Sequence, residues 1–152
     1  YRTLIKPDIS GIPANARLSS VKLNLVINTD ASGNARDFKL YRVLRNWVAA
    51  EVTWNVWKSG NNWSTAGAGS AGNDYNSTAL ATTNHSASEA VGTVKTFDID
   101  ITEFAKFLDG TYSYYGFIIR ADTETNDEYT YDSSNGTTQW LRPWFVVEYY
   151  LP

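Results

Sequence analysis

Aromatic side chains carry the most chemistry in this sequence: 6 Trp, 10 Tyr and 6 Phe among 152 residues. A pyranose ring presents a patch of C–H groups that packs on an indole or phenol face. Neighbouring Asn, Asp, Arg and Thr can then read its hydroxyls. Trp57, Trp63 and Tyr75 fall in one polar, small-residue stretch. Tyr129, Tyr131 and Trp140 surround a late turn. These six are the candidate sugar-stacking residues. Trp63 and Trp140 sit among polar neighbours and are expected to be exposed. Tyr129 and Tyr131 are two apart, so they share one strand face, either buried in the core or open to a ligand.

Acidic residues offer a second chemistry. Asp122, Glu124, Asp127 and Glu128 lie within seven residues. Hard oxygen ligands in a loop suit Ca²⁺, so Asp122, Glu124 and Asp127 are candidate ligands of a structural calcium ion. The spacing is not that of an EF-hand, and a solvated turn is the plainer alternative. Paired carboxylates could also hydrolyse a glycoside, but 16 acidic residues form pairs by chance.

The single histidine, His85, stands in a polar run and is expected at the surface. No nucleophile motif surrounds it, and no phosphate-cradling glycine loop occurs. With no Cys there are no disulfides, zinc–thiolate sites or thiol nucleophiles. A net charge of −3 argues against nucleic acid as a partner. No apolar stretch approaches the roughly 18 residues that a membrane span needs. The expected activity is therefore binding rather than catalysis.

The elements that must position these residues read as strands. Val21, Leu23, Leu25 and Ile27 alternate with Lys22 and Asn24, the period of a half-buried strand. Thr3–Lys6 and Phe38–Val43 read as further strands, with Asp30–Asn34 as a turn between the second and third. From Asn46 to Val91 the pattern lapses into a long loop with Trp47, Trp54, Trp57 and Trp63 close together. Such a loop is either functional or pinned to the fold by its tryptophans. Val94–Ile99 resumes a strand. Asp100 then looks like the N-cap of a two-turn helix, with Glu103 three residues on and Gly110 beyond its end. Ile101, Phe104, Phe107 and Leu108 share its apolar face. Tyr115–Ala121, Glu128–Asp132 and Trp144–Leu151 complete seven or eight strands, the last two joined at Asn135-Gly136 as a hairpin. The expected fold is all-β: an antiparallel β-sandwich of jelly-roll type with one short helix.

The run Leu4-Ile5-Lys6-Pro7-Asp8-Ile9-Ser10-Gly11-Ile12-Pro13-Ala14-Asn15-Ala16 resembles the opening of the DNRLRE domain family, which is related to disaggregatase and is also described as a carbohydrate-binding module. Tyr41-Arg42-Val43 through Trp47, with Glu51-Val52-Thr53-Trp54-Asn55, resembles that family's central motif. Phe97-Asp98-Ile99 and Arg142-Pro143-Trp144-Phe145-Val146 resemble later motifs in the same order. Lys6-Pro7 departs from it, since the family has an aromatic-Asp pair there.

The resemblance implies that Trp47 and Trp54 belong to the core framework. It also implies residues ahead of the opening run. The expectation is therefore one module over 1–152 that lacks or shares its first strands. The implied function is a non-catalytic polysaccharide-binding module of a secreted or cell-surface protein. The alternative is a structural subunit of a filament, adhesin or phage tail, whose sandwich a neighbouring strand completes. Its partners would then be identical subunits or a larger parent protein.

Overall fold

A computed structural model describes residues 2–30, 33–124 and 128–152. Ten strands and one α-helix follow in the order β1 (Thr3–Ile5), β2 (Arg17–Asp30), β3 (Arg36–Val43), β4 (Val56–Lys58), β5 (Asn61–Asn62), β6 (Tyr75–His85), β7 (Val94–Asp98), α1 (Ile101–Leu108), β8 (Phe117–Ala121), β9 (Tyr129–Tyr131) and β10 (Trp144–Tyr150). One sheet runs β1-β8-β3-β6 and the other β10-β2-β7, all antiparallel. The chain is thus an all-β sandwich with one short helix.

Inward residues of both sheets make the main core. Val21, Leu23 and Leu25 of β2 meet Leu40 of β3, Phe97 of β7 and Phe117 and Ile119 of β8. Side chains on a strand alternate, so Ile118 points to the opposite face. There it joins Val43, Trp63 and Ala68 in a second core, which Trp47, Val52 and Trp57 also cover. The tryptophan-rich segment is therefore a lid of apolar rings on the outer face of one sheet.

That segment is not one continuous loop. It contains the small β4–β5 hairpin and the 11-residue β6, which pairs with β3. Most of β6 is Thr, Ala, Asn and Ser, so it reads as loop. Its β-branched threonines nonetheless suit an extended backbone, and alanines suit positions pressed against β3.

The late hairpin is also absent. β9 pairs with the Ile27–Asp30 end of β2, and β10 with its Arg17–Asn24 stretch. Asn135-Gly136 lies in a longer excursion that ends in a 3-10 turn, Gln139–Leu141.

The helix forms where expected. The Asp100 carboxylate accepts from the N–H groups of Thr102 and Glu103 at 2.8 and 3.0 Å. Glu103 does not close the capping box; its carboxylate binds Lys106 and the Tyr112 hydroxyl. Phe104 and Phe107 are buried, whereas Ile101 is exposed because it precedes the turn that meets the core. Gly110 takes φ 81°, the left-handed value that ends a helix.

The two open sides of the sandwich differ. On one, β6 and β7 lie against each other, with the Asp100 N–H donating to the Leu80 carbonyl and Lys95 Nζ to Asn84. On the other, β1 faces β9 and β10 across a gap.

Candidate functional site: an open cleft between the two sheets

The gap between β1 and β9 forms a cleft of about 380 Å³. Leu4, Ile5 and Leu25 give it apolar walls, and Tyr129 and Tyr131 project from β9. Arg36, Glu124, Glu128, Asp132, Ser133 and Ser134 supply its polar groups.

Tyr131 is held by a buried cluster. Its hydroxyl lies 2.7 Å from His85 Nε2, at the end of β6. Phe38 packs tilted against the imidazole at 4.4 Å and edge-on to Tyr129 at 5.3 Å. The Tyr129 hydroxyl reaches the carbonyls of Asn34 and Ser86. His85 is thus fully buried, not at the surface. The strand that carries it pairs in register with Arg36 of β3, which turns the ring under β9. Burial, with Lys95 nearby, lowers its pKa to about 4, so the ring is neutral at physiological pH. Among the described residues, its buried Nδ1 has no hydrogen-bond partner.

Glu124 is committed to an ion pair. Arg2 Nε and Nη2 grip its two oxygens at 2.7 Å each, and Arg120 approaches at 3.4 Å. The Arg2 hydrogen bonds, with Arg120 adding charge, hold its pKa down at about 2 against the opposing effect of burial. Arg120 in turn lies over the Tyr75 ring at 4.7 Å. Asp122 binds the Thr123 N–H. Asp127 lies outside the described residues. Among the described residues, no three acidic or histidine side chains gather as a metal site.

The remaining aromatic candidates are dispersed. Trp63, expected in the open, is 5% exposed, and its indole N–H donates to the Thr53 carbonyl at 3.1 Å. Its polar sequence neighbours face away while the ring fills the second core. Tyr75 is half-buried beside Tyr41. Trp57 is half-buried under Lys58. Trp140 is 75% exposed on the 3-10 turn, as expected, but does not line the cleft. Trp47 is framework, donating to the Tyr115 carbonyl at 2.7 Å. Trp54, expected in the core, is 55% exposed. It lies across Gly67, so close that a Cβ there would sit 2.4 Å from the indole, and Arg2 stands over its ring.

Asp74 organises the loop between these rings. It is fully buried and accepts from the N–H groups of Ser64, Thr65 and Ser70 at 2.8–3.0 Å. Burial alone would raise its pKa; the three N–H groups outweigh this and lower it. Neither Arg2 nor the Phe38–His85 pair is marked by local sequence, because each acts through partners far along the chain; Asp74 acts within its own loop, through N–H groups that carry no side-chain signal.

Among the described residues, no helix is long and apolar enough to cross a membrane. A comparison with protein families matches residues 1–147 to the disaggregatase related repeat domain. No curated protein and no solved structure matches the chain.

Proposed function

This chain belongs to the disaggregatase related repeat family, and we propose that it acts as a non-catalytic polysaccharide-binding module of a secreted or cell-surface protein. The carrying observation is the cleft itself. It joins tyrosines and apolar walls to hydroxyls, carboxylates and a guanidinium, the mixture that a sugar requires. Its volume suits one or two sugar rings at an accessible edge. Glu124 does not have the state of a glycosidase's general acid. A glycosidase needs one carboxyl kept protonated as general acid. Glu124 is instead ionised and gripped by two arginines. A Ser-, Thr- and Asn-rich surface with few charges fits an extracellular setting.

Affinity-gel electrophoresis and a glycan array, using neutral and acidic polysaccharides, test this reading. Retardation is expected on at least one glycan. Glu128→Ala, at the exposed rim, should weaken it by about tenfold, the loss of one charged hydrogen bond. Tyr131→Phe should retain it. A folded protein that is retarded by no polysaccharide would sink the proposal.

A further inference from the structure

β10 is an unguarded sheet edge. It spans Trp144–Tyr150, pairs among the described residues with β2 alone, and contains no Lys, Arg or Pro. Its single charge, Glu148, is engaged by the Ser20 hydroxyl at 2.5 Å. Edges are ordinarily shielded by short length, charge, proline or cover. Among the described residues, the other edges of the two sheets are shielded: β6 and β7 lie against each other, and β1 and β9 have three residues each. A register shift at Glu148–Tyr149 confines the regular part of β10 to Trp144–Glu148.

The backbone groups on that edge can be identified. The Val21 carbonyl accepts from the Ile99 N–H, so Val21 turns its polar groups away from β10. Val147 stands opposite Val21, and Phe145 opposite Leu23, two residues along the same strand. In an antiparallel pair, residues opposite each other both face in or both face out. The N–H and C=O groups of Phe145 and Val147 therefore face away from β2. Exposed Trp144, Tyr149, Tyr150 and Leu151 flank them.

We infer that this edge receives β10 of a second copy of the domain, antiparallel, so that one sheet runs through two molecules. The family is a repeat domain, so copies with the same edge are its natural company. An antiparallel strand pair is its own two-fold mate, needing no second kind of surface. The aromatic flank supplies apolar area to bury, and the edge has no like charges to repel at Phe145–Val147.

Sedimentation velocity from low micromolar to millimolar protein, with amide exchange read by NMR at both ends, tests the inference. A concentration-dependent dimer is expected, in which the Phe145 and Val147 amides become protected. Trp144→Lys with Tyr150→Lys should weaken dimerisation by about tenfold or more while circular dichroism stays native. A monomer throughout the range overturns the inference. So does association that leaves those two amides exchanging freely. Glycan binding is a separate readout, because the cleft is lined by β9 and Pro143 and by no residue of Trp144–Tyr150.

Discussion

His85 shows how much a single position can depend on distant residues. Its neighbours in sequence are polar, yet the ring lies beneath Tyr131 and Phe38, with Lys95, Glu89 and Asp30 as the surrounding charges. The folded state holds its pKa near 4, below the unfolded value near 6.5. Between these values the unfolded chain binds the extra proton, so stability rises with pH. The stabilising contribution is complete above about pH 6.5 and is lost as pH falls toward 4, worth about 3 kcal/mol across that window. Urea unfolding between pH 4 and 7 should show this slope. His85→Gln, which keeps a polar group for Tyr131, should flatten it. An unchanged slope in the variant would show that other groups carry the acid sensitivity.

At the scale of elements, local signals were reliable where the partner was near in sequence. The Asp100 cap, the Phe104–Phe107 face and Gly110 lie within eleven residues, so the helix was legible. The alternation of β2 was legible too, although Asn24 and Val26 are buried along with the inner set. β6 was not, since its threonines and alanines become a strand only beside β3. The β9–β10 hairpin failed because both strands found β2 instead of each other.

The join between β1 and β8 offers a test at this scale. Gly116, just before β8, has φ 76°, and a Cβ there would lie 2.5 Å from the Ile5 carbonyl oxygen. Gly116→Ala should therefore cost about 2 kcal/mol in urea unfolding, through backbone strain and displacement of β1. Exchange of the Thr3–Ile5 amides should quicken more than that of β3. Equal effects on both strands would mean that the strain spreads through the whole sheet.

The whole molecule is a sandwich shut on one side and open on the other. β2, β3 and β8 are interior strands, whereas β1 and β10 border the open side. Opening free energies follow such differences. In dilute protein, amides of β2, β3 and β8 should exchange slowest, and those of β1 and of the free edge of β10 fastest. Equal protection across both sheets would contradict this order.

The candidate site was partly legible at the same scale. Tyr129 and Tyr131 share one face of β9, as a spacing of two in a strand dictates, and both line the cleft. Trp63 is covered and Trp54 exposed, the reverse of what the sequence leads one to expect. Their local surroundings are alike, and only the crossing of the loop over Ile118 and Gly67 decides which ring is covered. The sequence by itself determined the all-β class, the antiparallel sandwich, the helix and the lack of thiol chemistry. Those follow from composition, period-two alternation and capping, which are properties of neighbouring residues. Tertiary structure alone decided which strands pair, where the cleft opens, and that Glu124 is bound by arginine. Those depend on contacts between residues far apart in the chain, such as Arg36 with His85 and Arg2 with Glu124.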